Sequence, residues 1–156
     1  MTADRRRVRA IHGRLLRFYG ELEPPRRSDP LEELVLTVLS QNTSDANSFR
    51  AYDSLRRRFP TWGELASARP SEVAATIRSG GLANVKAPRI LAILREIRNR
   101  EGSLELSILR GMPDAEAREY LTSLPGVGPK TAAVVLAFSL GRPALPVDTQ
   151  DRKSVV

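Results

Sequence analysis

The sequence predicts an all-α protein built as a compact array of short helices, on three observations. Apolar residues recur at three-to-four spacing through most of the chain, no segment shows the alternation typical of a strand, and prolines, glycines and capping residues divide the chain into short segments. At 156 residues the chain is long enough to bury the core of one ordinary domain. We therefore expect helices packed on helices.

The first two helices are separated by prolines and by a cap. The first carries an apolar stripe from Val8 to Tyr19 and ends before Pro24, because proline disrupts a helix interior. Asp29 is expected to cap the second helix, with Pro30 at its first position and Glu32 completing a box-like start.

Three further helices are predicted before the middle of the chain. One runs from about residue 44 to 59. Thr61 and Glu64 have the spacing of a capping box and begin a short helix, and Pro70 begins another that ends at Gly80-Gly81.

The second half of the chain contains three further predicted helices, at about 85–98, 113–123 and 129–140. The last is almost entirely apolar from Ala132 to Phe138, which predicts that it is the most deeply buried helix of the protein.

The charge balance suggests a polyanionic partner. The formal net charge is +7 and the sequence pI is near 10.7, and a basic surface gains affinity by neutralising phosphates. However, all but three of the 25 basic residues are arginines, a bias that a GC-rich genome also produces. A DNA-binding protein and a helical scaffold with no nucleic-acid role are therefore both compatible with the charge.

The absence of cysteine excludes disulfides, cysteine-ligated zinc and iron–sulfur clusters within these residues. His12 is the sole histidine, so a histidine-based metal site or catalytic triad has little to build with, and we expect His12 on the surface. No segment has the pattern of a signal peptide or a membrane span, so we expect a soluble, cytoplasmic protein with no membrane partner.

Residues 124–132, Leu-Pro-Gly-Val-Gly-Pro-Lys-Thr-Ala, form the most informative motif. Gly126 and Gly128 permit a tight turn between two helices, and Val127 is expected to tether that turn to the core. The turn leads into a helix start, where backbone N–H groups and the helix dipole favour a phosphate. Alone, such a turn is weak evidence, because most turns of this kind are ordinary C-caps followed by a new helix.

Together with two other segments, this motif resembles the helix-hairpin-helix signature of the endonuclease III family of DNA glycosylases. Asp148, in the run Pro-Val-Asp-Thr, follows Lys130 by 18 positions. Residues 39–45 are similar to the family's stretch after its second helix, and residues 81–87 are similar to its loop that probes the duplex. The three matches occur in the family's order.

The resemblance implies that Lys130 and Asp148 are catalytic and that the partner is double-stranded DNA containing a damaged base or an abasic site. A nucleophilic amine must be uncharged, and a helix start disfavours the ammonium form. Lys130 would attack the sugar and form a Schiff base, while Asp148 would stabilise cationic character on the sugar or help to deprotonate the nucleophile. The simpler interpretations are a surface lysine and a plain N-cap.

DNA contacts are expected from the hairpin and from two loops. In the hairpin they are Gly126, Val127, Gly128, Lys130 and Thr131. The loops contribute Gln41, which could bond the orphaned partner base, and Leu82, an apolar wedge; Lys86 is a further candidate. On spacing alone, the simpler interpretations are that Gln41 caps its own loop and that Leu82 belongs to the core.

The subtype follows from Thr37 and Lys130. Adenine-excising relatives carry glutamate at the position of Thr37 and usually lack the lysine, so the resemblance favours an enzyme for oxidised pyrimidines or abasic sites. We expect a monomer associated with a bacterial nucleoid. No cofactor is expected in this chain, although full-length relatives often carry a [4Fe-4S] cluster.

The chain departs from the family near its end, where Gln150 replaces the usual histidine and the family continues further. We interpret 151–156, which a common sequencing adapter could encode, as a non-native tail. The expected organisation is an N-terminal helix of an incomplete second domain (1–22), a six-helix domain (23–132) and the catalytic segment (133–150). We expect weak or absent catalysis; the alternative is a non-catalytic helix-hairpin-helix DNA-binding module.

Overall fold

The computed structural model describes residues 3–21 and 27–147, and within those ranges it is all-α, as predicted, with no strand. Two short 3₁₀ turns, Arg78–Gly80 and Ser107–Arg110, connect α-helices. A π-helical segment, Val135–Ser139, follows the last α-helix. The α-helices are α1 Ala3–Tyr19, α2 Pro30–Ser40, α3 Asp45–Arg58, α4 Trp62–Ser67, α5 Pro70–Thr76, α6 Ala83–Glu101, α7 Asp114–Thr122 and α8 Pro129–Val134.

The helix starts confirm the predicted caps, with one correction. The Leu31 N–H donates to Oδ1 of Asp29 at 2.9 Å, so Asp29 caps α2. Glu32 does not complete a box with it; its Oε1 accepts from the Tyr52 hydroxyl at 2.8 Å and so ties α2 to α3. The reciprocal box between residues 61 and 64 is present at the start of α4.

The core is built around α2 and α6, whose apolar stripes are inaccessible to water. Burying one such Leu, Val or Ile side chain contributes about 1.5–3 kcal/mol, so these two helices hold the remaining ones in place. The fully buried apolar side chains of the two helices are Leu31, Leu34, Val35, Val38, Leu39, Ala87, Ile90, Ile93, Leu94 and Ile97.

Helix α6 begins at Ala83, two residues earlier than predicted, and contains Pro88. Its N-cap, Leu82, has left-handed φ and ψ of 49° and 32°, which a leucine adopts only under strain. The sequence does not mark this start, because leucine is not a preferred N-cap residue and Leu82 makes no side-chain cap hydrogen bond.

The last helix differs from its prediction. Regular α-helix ends at Val134, and the wider π-helical turn of Val135–Ser139 follows. The extra residue per turn moves Phe138 off the buried face, and its side chain is 44% exposed. The α-helix predicted up to residue 140 is therefore too long, and its apolar run is only partly buried.

Two surface features complete the fold. The apolar side chains of α1 are largely exposed, with Val8 at 64% and Phe18 at 81%, and His12 is exposed as expected. After the π-helical turn the chain bends at Gly141, whose φ is 64°; a Cβ there would lie 2.5 Å from Nη2 of Arg27. Among the helices of the described ranges, none has the length and apolarity to cross a membrane.

The Tyr52–Glu32 contact predicts a loss of stability at alkaline pH. Burial, and then the hydrogen bond to the Glu32 carboxylate, raise the pKa of Tyr52 above its usual value of about 10. As pH rises through about 10 the unfolded chain releases this proton first, so the folded state loses stability. We expect Tyr52→Phe to flatten the decline in urea midpoint above pH 10, and Tyr19→Phe, at an exposed position, to leave it unchanged. An identical decline in the Tyr52→Phe protein would contradict this.

Candidate nucleic-acid interface

The hairpin that joins α7 to α8 has the geometry predicted for it. Gly126 has a φ of 71°, which favours glycine, and the Val127 N–H donates to the Leu124 carbonyl at 3.1 Å. The Val127 side chain is only 5% exposed and belongs to the core, whereas Gly126 is exposed. The predicted tether is therefore confirmed, and the turn lies at the surface.

Helix α8 begins immediately after this turn, with Gly128 as its N-cap and Pro129 at its first position. The Ala132 N–H donates to the Gly128 carbonyl at 3.0 Å and closes the first turn. Lys130 is in that first turn and has an exposed side chain. Thr131 is 5% exposed, so its predicted DNA contact would form through the backbone N–H rather than through an exposed side chain.

A groove of about 1270 Å³ separates the hairpin and α8 from the connection between α2 and α3. It brings together five of the predicted site residues from segments far apart in sequence: Gln41, Gly126, Gly128, Lys130 and Thr131. Thr37, which is 8% exposed, lines it too. The other lining side chains include polar groups of α2 and α3, one aromatic ring of α3, and apolar groups near the end of the described chain: Glu33, Ser40, Asp45, Phe49, Phe138 and Val147.

Gln41 follows the last residue of α2, and its backbone N–H donates to the Val38 carbonyl. Its side chain does not cap its own loop, so the simpler interpretation of Gln41 is wrong. Instead Oε1 accepts a hydrogen bond from Nη1 of Arg89, on α6, at 2.8 Å. Sequence reasoning missed Arg89, since nothing local distinguishes it from the other arginines of the chain.

Leu82 lies in the turn between Gly81 and α6 and is 53% exposed. The core-leucine alternative is therefore excluded. Leu82 and Asn42 are the non-glycine residues with positive φ in the described ranges; Asn42 lies in the turn after α2, and Leu82 is the N-cap of α6. Strained backbone of this kind is common where a loop contacts a ligand.

The prediction that Lys86 contacts DNA is wrong. The side chain is 1% exposed, and its Nζ donates to the carbonyls of Leu39 at 2.6 Å and Gly80 at 2.7 Å. Burial lowers the pKa of this amine from its ordinary value. The lysine instead joins the end of α2 to the turn that precedes Leu82.

The predicted catalytic Asp148 lies outside the described residues. The chain leading to it is held by Arg142, which donates to the carbonyl of Leu109 and forms an ion pair with Asp114 at 3.2 Å. Val147, the last residue described, is 45% exposed and lines the groove.

The described residues contain no group of three metal-ligating side chains. The whole sequence lacks cysteine, so its residues do not fit an iron–sulfur cluster.

Comparison with known proteins gives a consistent family. Residues 35–155 match the HhH-GPD family, described as "HhH-GPD superfamily base excision DNA repair protein". The chain is 39% identical over 124 residues to endonuclease III of Thermotoga maritima, covering 80% of this chain and 54% of that protein. It is 33% identical over 145 residues to a thymine-DNA glycosylase of Aeropyrum pernix, covering 90% and 61%.

Among solved structures, the chain superposes on a trapped covalent intermediate of an endonuclease III with DNA. The TM-score is 0.76 at 27% identity, over 100% of this chain and 69% of the other. The chain spans about half the length of curated relatives that it matches, between 41% and 61% for three of them.

The buried lysine predicts a specific stability defect. Lys86→Ala removes the donor for two buried carbonyls, and we expect it to lower the free energy of unfolding by about 3 kcal/mol. Urea denaturation measures the change. Lys130→Ala is the matched control, since the same substitution at an exposed lysine should cost no more than about 0.5 kcal/mol. Equal stability of the two variants would contradict the structural role of Lys86.

Proposed function

Because the chain belongs to the HhH-GPD superfamily of base excision DNA repair proteins, we propose that it is a DNA glycosylase with abasic-site lyase activity. The observation that carries the proposal is the exposed Lys130 in the first turn of α8, beside the glycine hairpin and facing the same groove as Gln41.

The first step is binding of the DNA backbone, and we assign it to the hairpin. Gly126 and Gly128 allow the strand to approach the main chain closely, and the N–H groups at the start of α8 can donate to a phosphate. Such contacts fix the register of the protein on the duplex without reading its sequence. Val127 contributes by holding the turn to the core.

Extrusion of the damaged nucleotide is the second task. A base inside the stack is out of reach, so the nucleotide must leave the duplex and enter the groove. Leu82, apolar and exposed on its strained turn, is suited to enter the vacated space. Gln41 is suited to bond the base left without a partner.

Bond cleavage is the third task, and we assign it to Lys130 and Asp148. The neutral Lys130 amine attacks the sugar C1′, a C–N bond forms, and the glycosidic bond breaks as the base leaves with its electron pair. Loss of the ring oxygen bond gives a Schiff base, and removal of a C2′ proton then expels the 3′ phosphate. Asp148 stabilises the cationic sugar or accepts the proton from the amine.

We propose oxidised pyrimidines as the substrate class. Thr37 lines the groove at the position where adenine-excising members have glutamate, and Lys130 is present. A carboxylate that could assist adenine protonation is therefore replaced by a hydroxyl, which favours a nucleophilic over a purely hydrolytic route.

Covalent trapping tests the nucleophile. With borohydride and a duplex containing an abasic site, any trapped complex should be lost in Lys130→Ala, because only the lysine amine forms the reducible Schiff base. The control is Arg98→Ala, an exposed cation on α6, which should trap as the wild type does. A complex that persists without Lys130 would contradict the assignment, and a Lys130→Ala protein unchanged in every DNA assay would favour the non-catalytic module.

Salt dependence tests the phosphate grip. Duplex affinity should fall linearly on a log–log plot against salt, by about 0.9 in slope for each phosphate neutralised. Gly126→Ala should weaken binding severalfold, because a Cβ at a φ of 71° strains the turn. Fluorescence anisotropy at several salt concentrations measures both effects. Binding that ignores salt would instead support a helical protein with no nucleic-acid role.

A further inference from the structure

Arg89 connects three parts of the interface. It projects from α6, and its Nη1 donates to Oε1 of Gln41 at 2.8 Å. Its side chain also covers the hairpin glycine: a Cβ on Gly126 would lie 2.6 Å from Nε and 2.8 Å from Cδ of Arg89. The same arginine therefore contacts the end of α2 and the hairpin at once.

The contact with Arg89 determines how the Gln41 carboxamide is turned. A guanidinium group has only donors, so the carboxamide must present its oxygen to it. The amide NH₂, which can only donate, is then the end that remains for a contact with DNA. Without Arg89 the carboxamide could rotate by half a turn and present an acceptor instead.

We propose that Arg89 is a positioning residue that makes Gln41 a hydrogen-bond donor toward the base opposite the extruded nucleotide. The inference rests on the proposed function. It assigns the specificity to an acceptor atom on the pairing edge of that opposite base. For adenine, the partner of thymine-derived lesions, the pairing-edge acceptor is N1.

The proposal also gives Gly126 a second role. Besides its backbone conformation, the missing side chain makes room for Arg89 above the turn. Contact with the strand at the hairpin and orientation of Gln41 therefore depend on the same small space. A displaced hairpin would move the arginine and release the carboxamide.

A first experiment needs no DNA. In a ¹⁵N-labelled chain, the side-chain NH₂ resonances of Gln41 should shift in Arg89→Ala and remain in place in Arg98→Ala, which removes the same charge from the same helix. Unchanged Gln41 resonances in Arg89→Ala would overturn the proposed contact. Arg89→Lys, which keeps a donor, provides a second folded variant and should give an intermediate shift.

A second experiment measures how much the N1 acceptor of the opposite base contributes to duplex affinity. Two duplexes carry a stable abasic-site analogue opposite adenine or opposite 1-deazaadenine, which lacks the N1 acceptor. The wild-type chain should bind the adenine duplex about fivefold more tightly, the size expected for one hydrogen bond. The ratio of the two affinities cancels the general loss of charge in each variant.

Variants of Gln41 and Arg89 distinguish a role of Arg89 in positioning Gln41 from a general contribution of Arg89 to DNA affinity. The ratio should fall toward one in Gln41→Ala, in Arg89→Ala and equally in the double variant, and should persist in Arg98→Ala. A wild-type ratio of one, or a full ratio in Arg89→Ala, would overturn the inference. If the chain binds abasic and undamaged duplexes equally, the proposed function fails and the base-reading role fails with it, while the resonance shifts separately decide whether the Arg89–Gln41 contact exists.

Discussion

The arrangement of the interface depends on the buried ammonium of Lys86. Its two short hydrogen bonds end on the carbonyls of Leu39 and Gly80, and two residues beyond each carbonyl stands a side chain assigned to the DNA. Gln41 follows one and Leu82 the other. A single buried donor therefore fixes the spacing between two loops that come from separate parts of the chain, and the cost of burying it is offset only while both carbonyls are in place.

Helix α6 is accordingly the organising element of the site, although no catalytic residue lies on it. Its start sets the strained turn at Leu82, its first turn carries Lys86, and its next turn carries Arg89. Because its opposite face is part of the central core, the geometry at the groove is supported by the packing that stabilises the whole fold.

Local signals in the sequence predicted most of the fold and the centre of the site. Asp29, the box at the start of α4 and the hairpin glycines all follow from short-range rules, and they were confirmed. The errors are of another kind. Lys86 and Arg89 each form a hydrogen bond with a residue more than forty positions away. Phe138 is exposed because of a π-helical turn that the hydrophobic periodicity does not predict. The sequence gives the charge and hydrophobicity of each residue, whereas its hydrogen-bond partner depends on which segments the folded core brings together.

The packing of Arg89 over Gly126 constrains how this surface can evolve. Even asparagine, which tolerates the left-handed backbone of the turn, would bring a Cβ into the space that the arginine fills. With Arg89 in its present conformation a Cβ at position 126 would clash, so replacing the glycine requires the arginine to move or to be shortened. Lineages that keep an arginine packed at position 89 should consequently retain glycine at 126 more often than lineages in which the side chain at 89 is short.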